Sequence, residues 1–255
     1  MRLVVLILIL LFPVQVLAQA TQQPVEISAA GSLEWDRRAK TYVARKEALA
    51  RQGAFEVRAA TITAHYSDAT DIQKLTAAGG VTILSPPYQA TGDDALYDIA
   101  RDYALLTGQD LRVTTQTDLL TARDKMEFFG KEGKMTATGQ AVARRGTDQL
   151  RADVLNGFFT TDAQGNRSLT RITAEGNVVI ETQKETVYGE RGTYDIPGES
   201  AVLTGKVRIL QGDSWLEGTR ATVDMRTGIS KLFAGDNTET QGRVKGVFYP
   251  KKKEP

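Results

Sequence analysis

The residues that could carry out acid–base or metal chemistry are few in this sequence. The chain has one histidine, His65, and no cysteine among its 255 residues. A zinc site needs several histidine or cysteine ligands, and general acid–base catalysis needs positioned partners. In the internal alignment described below, His65 corresponds to Phe158, which favours a structural role for this position. We therefore predict no catalytic residue, no metal site and no cofactor, and we expect that the protein is not an enzyme.

Carboxylates recur at corresponding places, but their context is that of turns. Asp98 and Asp195 each follow a tyrosine and precede a predicted turn. An aspartate in this position typically hydrogen-bonds nearby backbone groups. A hydrolase acting on envelope glycans would need paired carboxylates facing one pocket, and the sequence does not identify such a pair.

The elements that position these residues come from an internal duplication. Residues 75–108 align without a gap on residues 172–205, and 13 of the 34 positions are identical. With a different offset, residues 44–59 align on residues 137–152, so four extra residues fall in the predicted loop 160–168. We predict two copies of one unit, at about residues 33–130 and 126–230.

Within each copy the sequence alternates between apolar and polar residues, which is typical of half-buried β-strands. Six glycines, Gly79, Gly108, Gly139, Gly176, Gly205 and Gly235, recur about every 30 residues and suit positive φ angles or close strand contacts. Residues 43–53 contain good helix formers, yet their repeat partner contains T-G-Q and reads as turn and strand. We therefore predict an all-β fold throughout.

Composition sets further limits. Apolar residues make up 41% of the chain and charged residues 25%, and the formal net charge is +1. Such a balance gives no support for nucleic-acid binding, which requires a basic face. Residues 1–20 resemble a cleaved signal peptide, with Arg2 before an apolar run of about 15 residues. An uncleaved membrane anchor is the alternative, although a membrane span needs roughly 20 apolar residues.

Several motifs together resemble those of a known family. They are A-E-G-N-V-V-I at residues 174–180, G-E-R-G-T-Y-D at 189–195, L-T-G-K-V-R-I-L-Q-G at 203–212, and D-M-R-T-G at 224–228. This order and spacing is similar to the OstA-like domain family of lipopolysaccharide transport proteins, the LptA family. The resemblance covers residues 21–250, and we expect residues 251–255 to form a solvated tail. In the first copy, Asp110 and Arg112 stand where the second copy has Val207 and Ile209, which puts lipid contact there in doubt.

The resemblance implies an elongated antiparallel β-jelly-roll whose two sheets form an open V. Family members bind the acyl chains of lipopolysaccharide between the sheets and stack end to end. The implied partners are lipopolysaccharide, inner-membrane LptC-like and outer-membrane LptD-like components, and further copies of the chain. The implied location is the periplasm.

Inward-facing apolar rows are the candidate lipid-binding surface. Its residues are Val81, Ile83, Ile172, Val178, Ile180, Leu203, Val207, Ile209, Trp215 and Val223. Each buried methylene group of a ligand would contribute about 0.8 kcal/mol. Periodicity alone favours an ordinary sandwich core in which these rows pack on each other, whereas the resemblance favours a lipid trough.

Two further features admit either a functional or a structural interpretation. Lys206, Arg208 and Arg220 could contact lipid phosphates near the rim of the trough, or they could simply be the solvated face of a strand. Terminal strands could accept a strand from another molecule, or the chain's own tail could cover them. We predict a periplasmic lipopolysaccharide-binding bridge between the inner and outer membranes. The alternative is a structural or adaptor β-domain of the envelope that carries no lipid, such as an LptC-like anchored partner.

Overall fold

The computed structural model describes residues 24–67, 71–162, 167–235 and 243–249, and within these ranges all regular structure is β. The strands are β1 Glu26–Ser28, β2 Ser32–Asp36, β3 Thr41–Gln52, β4 Phe55–Tyr66, β5 Ile72–Ser85, β6 Tyr88–Asp98, β7 Tyr103–Thr107, β8 Leu111–Thr114, β9 Asp118–Ala122, β10 Lys125–Phe129, β11 Lys134–Arg145, β12 Asp148–Thr161, β13 Arg167–Glu181, β14 Thr186–Asp195, β15 Ser200–Gln211, β16 Ser214–Asp224, β17 Ile229–Phe233 and β18 Lys245–Val247. The all-β fold is as predicted, and this includes the ambiguous stretch 43–53 within β3. Among the described residues no helix has the length and apolarity needed to cross a membrane.

Neighbouring strands pair antiparallel, and nearly every long strand contains a register shift near its middle. The shifts bend the strands, so the continuous sheet folds along one corner into two facing layers. Layer 1 contains the Thr41–Arg45 half of β3 and its neighbours, and layer 2 contains the Ala48–Gln52 half. The result is the antiparallel jelly-roll with an open V that the family resemblance implied.

The duplication is visible strand by strand. A shift of 93 residues places β2 on β10 and β3 on β11, with identical bounds. The register shift between Arg45 and Ala48 moves by the same 93 residues to Thr138 and Ala141. The second copy therefore repeats both the strands and the bends of the first.

The bends are made by pairs of residues in the left-handed backbone region. These pairs are Lys46–Glu47, Gly79–Gly80, Gly139–Gln140, Gly176–Asn177 and Gly205–Lys206. At Gly176, where φ is +74°, a Cβ atom would also collide with the side chain of Asp153 on the neighbouring strand. The recurring glycines thus meet both a conformational and a steric requirement at the corner.

The first copy differs from the second after Gly108. The interior side chains of β8 are Leu111 and Val113, each 1% exposed, while Asp110 and Arg112 face solvent. One additional residue after Gly108 shifts β8 relative to the gapless alignment. The alignment was therefore wrong in placing the polar residues Asp110 and Arg112 opposite Val207 and Ile209.

The interior is apolar and runs through both copies. Fully buried side chains near the corner include Ile62, Val81, Val178 and Val207. Many interior positions are alanines in both copies, for example Ala44 and its equivalent Ala137.

The ends of the sheet carry exposed apolar side chains. At one end Leu33 and Trp35 of β2 are 57% and 54% exposed, and at the other Ile229 of β17 is 55% exposed. β1 and β2 pair with β3, while β17 and β18 pair with β16. The predicted signal peptide, residues 1–20, and the predicted tail, residues 251–255, lie outside the described residues.

Candidate functional site: an apolar cavity in the second copy

A cavity of about 210 Å³ lies between the two layers of the second copy. Layer 1 contributes side chains such as Ile172 and Val223, and layer 2 contributes Ile180, Ile209 and Leu216. A smaller void of about 30 Å³ continues toward the first copy, and Leu150 and Ile172 border both spaces. The V is therefore open in the second copy and nearly filled at the junction between the copies.

Strand pairing builds the apolar wall of this cavity. In layer 2, Ile180 pairs with Val187, Val187 with Ile209, and Ile209 with Leu216, so one row crosses four strands. Because side chains alternate along each strand, the whole row faces layer 1. These residues are half-buried rather than buried, since the space in front of them is not filled by protein.

The structure brings most of the predicted surface together. Seven of the ten predicted residues line the cavity, namely Ile172, Val178, Ile180, Leu203, Ile209, Trp215 and Val223. Val207 is on the same face of β15 as Ile209, but it is 1% exposed and is part of the packed core rather than of the cavity lining. Val81 is likewise 1% exposed and packs with Ile83 in the core of the first copy. Lipid contact by any of these residues stays a prediction.

The placement of Trp215 differs from the predicted row. Alternation placed Trp215 in the inward-facing rows with Val223, but the register pairs Leu216 with the inward Ile209 and Trp215 with Leu210. The indole borders the cavity and also lies 5.6 Å from the Arg208 guanidinium and 5.0 Å from the Lys245 ammonium. The corner bend in β16 changes the alternation, so Leu216 takes the inward place.

Sequence reasoning missed several lining residues. They include Leu150, Val187, Tyr194, Leu216 and Phe248. Alternation along each half of β14, with a change of parity at the bend between Tyr188 and Arg191, would have found Val187 and Tyr194. Phe248 could not have been found in this way, because it reaches the cavity through the pairing of β18 with β16, a contact between distant parts of the sequence.

Polar groups gather where the cavity opens between the layers. Thr182, Glu185, Gln211 and Ser214 stand at this mouth. Burial raises the pKa of the Glu185 carboxyl, and the charge of Lys184 partly offsets that shift. Burial, together with Glu199 and Asp195, raises the pKa of the Tyr194 phenol, which therefore stays uncharged at neutral pH.

The predicted phosphate contacts face away from the cavity. Lys206 forms an ion pair of 3.3 Å with Glu190, and Arg208 one of 3.4 Å with Glu217. The Arg220 guanidinium lies 5.7 Å from the centre of the Phe233 ring. Exposed pairs of this kind exchange readily with solvent, and phosphate binding by these three residues stays a prediction.

His65 lies in layer 1 of the first copy, where it pairs with Thr41 and Lys74 across neighbouring strands. Within the described parts of the chain, no group of three or more histidine, aspartate or glutamate side chains is arranged to hold a metal ion.

Parts of this chain are similar to known proteins. The chain is 27% identical over 131 residues to an uncharacterized protein, R00383, of Rhizobium meliloti (strain 1021), which covers 49% of this chain and 70% of that protein. Among solved structures, it is similar to LptH of Pseudomonas aeruginosa, described as the LptA-homologous periplasmic component of the lipopolysaccharide transport device. That match has a TM-score of 0.44 and 19% identity, and covers 53% of this chain and 96% of that one.

A family model matches twice, at residues 26–133 and 120–229, and the two matches together span most of the described chain. The duplicated strands and the recurring corner bends are what both matches cover. The chain therefore belongs to the LptA/(LptD N-terminal domain) LPS transport protein family.

Proposed function

We propose that this protein binds lipopolysaccharide in the periplasm and passes it on as one member of a bridge between the inner and outer membranes. The single observation that carries the proposal is the open apolar cavity in the second copy of a chain from a lipopolysaccharide transport family. The acyl chains would enter between the layers, against Ile180, Ile209 and Leu216.

The size and lining of the cavity suit a hydrocarbon chain. Apolar cavities of roughly 150 Å³ already hold small hydrocarbons in proteins, and this one is about 210 Å³ with an open mouth. Burying about six methylene groups there would contribute about 5 kcal/mol. No directional bond and no chemical step is needed, which fits a carrier rather than an enzyme.

The sheet ends supply the proposed contacts with partners. The outer edges of β1–β2 and β17–β18 present backbone groups beside exposed apolar side chains such as Leu33 and Trp35. Strand addition at such edges would join further copies, or LptC-like and LptD-like components, into one continuous sheet.

Photocrosslinking in cells tests the carrier function. We expect a photoreactive residue at Ile180, Ile209 or Leu216 to form adducts with lipopolysaccharide. The matched outward positions Val179 and Arg208 should give none. Adducts from the outward positions alone would contradict the proposal.

Two inward positions of the first copy, Val113 and Leu120, serve as a second control, since they are 1% and 3% exposed. The alternative function, an envelope adaptor without lipid, is favoured by the exposed sheet ends. It predicts crosslinks to proteins from Leu33 or Ile229 and no lipid adduct from any inward position.

A further inference from the structure

Glu185 occupies a special place at the mouth of the cavity. It ends the turn between β13 and β14, where its backbone N–H donates to Thr182 Oγ1 at 3.2 Å and its carbonyl accepts from the Thr182 N–H at 3.0 Å. The alternation along β14 places its side chain on the same face as Val187, which lines the cavity. The turn therefore holds a carboxyl group at the opening.

The first copy has a different residue at this position. A shift of 97 residues places Glu185 on Tyr88, which is 4% exposed and packs into the closed interior. The inward direction of the position is thus the same in both copies. Glutamate leaves the mouth open and polar where tyrosine fills it.

The other polar groups at the mouth are uncharged. Thr182, Gln211 and Ser214 offer hydroxyl and amide groups around the opening. Of the described residues that line the cavity, Glu185 is the only one with a carboxyl or basic side chain, and the Tyr194 phenol is uncharged at neutral pH. Ser214 Oγ already accepts a hydrogen bond from the backbone N–H of Tyr249 at 3.1 Å, so its hydroxyl hydrogen is directed elsewhere.

No described lysine or arginine lines the cavity. The Lys245 ammonium lies 5.0 Å from the centre of the Trp215 ring. Arg208 and Lys206 pair with Glu217 and Glu190 on the outer face. Lys184 is adjacent to Glu185 and exposed in the turn. An anionic group held at the mouth would therefore face the Glu185 carboxylate without an inward-facing cation to balance it, which is unfavourable in a partly desolvated place.

We propose that Glu185 selects the chemical class of the polar group that sits at the mouth, favouring a hydroxyl or amide group and excluding a phosphate. A hydroxyl or amide N–H donates a charge-assisted hydrogen bond to the carboxylate, whereas a phosphate is repelled by it. This inference rests on the proposed carrier function and adds to it. The bound lipid places its hydroxyl- or amide-bearing attachment region at the mouth and keeps its phosphates outside.

Binding of matched amphiphiles tests the selection. Dodecanol, dodecanamide and dodecyl phosphate have alkyl chains of nearly the same length and differ in the polar group. Their affinities can be measured by displacement of a fluorescent fatty-chain probe, below the solubility limits of the alcohol and amide and below the critical micelle concentration of the phosphate. We expect the wild-type protein to bind the alcohol and the amide at least tenfold more tightly than the phosphate. In Glu185→Gln this preference should fall to about threefold or less, because the glutamine keeps the shape and removes the charge.

Glu190→Gln is the matched control, since Glu190 lies on β14, the strand that follows Glu185, faces outward and pairs with Lys206. It should retain the wild-type preference. Equal wild-type binding of alcohol and phosphate, or a full preference retained in Glu185→Gln, would overturn the selection while leaving the carrier function intact. Failure of the wild-type protein to bind any of the three amphiphiles would overturn the carrier function, and the selection with it.

Discussion

The two copies share one plan of strands and bends, yet the first is closed and the second is open. In the first copy Met126 and Phe128 are 3% and 5% exposed and fill the space between the layers. The pairing of β16 with β15 puts Ala221 and Val223 at the corresponding positions of the second copy. Smaller side chains on one strand therefore account for much of the cavity.

The mouths of the copies differ as well. In the first copy, the position equivalent to the mouth of the second copy is closed by Asp118. Asp118 forms an ion pair with Arg145 and accepts hydrogen bonds from Thr115 and Thr117. The place of Asp118 is taken in the second copy by Ser214, which lines the open mouth. A buried aspartate with several hydrogen bonds, paired with a partly exposed arginine, links two strands in the first copy. A small hydroxyl at the same place leaves the mouth of the second copy open.

A second polar cluster, formed by Arg167, Asp102 and Tyr97, lies beside Phe128 of the first copy. Arg167 has a side-chain exposure of 3% and lies 3.8 Å from Asp102. Its guanidinium is 4.8 Å from the centre of the Phe128 ring. The hydroxyl of Tyr97 donates to Asp102 at 3.2 Å, and burial, followed by the charge of Asp102, raises the pKa of Tyr97 to about 12. The same duplicated fold therefore has a packed core in the first copy and an open cavity in the second.

The largest expected effect is on stability, and it compares two equivalent leucines. Leu120 is 3% exposed in the first copy, and Leu216 borders the cavity in the second. We expect Leu120→Ala to lower the free energy of unfolding by about 2–5 kcal/mol, because it leaves a void in a packed core. Leu216→Ala should lower it by about 1 kcal/mol or less, since few contacts are lost beside an existing space.

Urea unfolding followed by circular dichroism measures both values on the same scale. Equal losses for the two variants would mean that the second copy closes in solution, and the comparison between a solid and an open half would fail.

The alternation of residues predicted the fold well, for a physical reason. A strand with one buried face must repeat every two residues, and the recurring glycines, such as Gly176, have positive φ angles where the sheet bends. Continuing the gapless alignment beyond Gly108 misplaced β8 by one residue. The expected row was also misplaced in β16, where the corner bend gives the place opposite Ile209 to Leu216, although the Trp215 indole still borders the cavity. Both errors arise where an added residue or a bend interrupts a strict period of two.

The open and closed interiors were not predictable in the same way. Alternation shows which side of a strand faces inward, but it does not show whether the opposite layer makes contact. That outcome depends on side-chain volumes brought together from distant strands, such as Phe128 and Arg167. The contribution of Phe248 depends likewise on the pairing of β18 with β16, which no local pattern in the sequence encodes.

Placing two large side chains of the first copy at the equivalent positions of the second should have a smaller effect, which is on ligand affinity. The double variant Ala221→Met and Val223→Phe introduces the side chains found at 126 and 128. Displacing about three methylene groups of a bound chain would weaken apolar binding by about 2–3 kcal/mol, roughly 30- to 150-fold. Probe-displacement titration with dodecanol measures this loss.

Thr222→Met, on the same strand between the two positions, should leave the affinity unchanged, because that residue does not line the cavity. Unaltered binding in the double variant would show that the chain enters elsewhere than between Ile209 and Val223.

The corner bends provide the smallest difference between the copies. The first copy makes one bend with Lys46 and Glu47, at φ angles of 68° and 50°, where the second copy uses Gly139 and Gln140 at 90° and 47°. A residue with a Cβ atom in this region is strained by about 1 kcal/mol. Part of the gain from a glycine is offset by the greater entropy of the unfolded chain. We therefore expect Lys46→Gly to raise the free energy of unfolding by about 0.5 kcal/mol.

Lys46→Ala is the control for this last substitution, because it removes the charge and the long side chain and keeps the Cβ atom. Urea titration should show a gain for the glycine variant only. A gain of equal size in both variants would assign the effect to the lysine side chain rather than to the backbone. A gain confined to glycine would show that the closed copy retains a strained bend that its duplicate has relieved, because the packed interior of the first copy supplies enough stability to tolerate it.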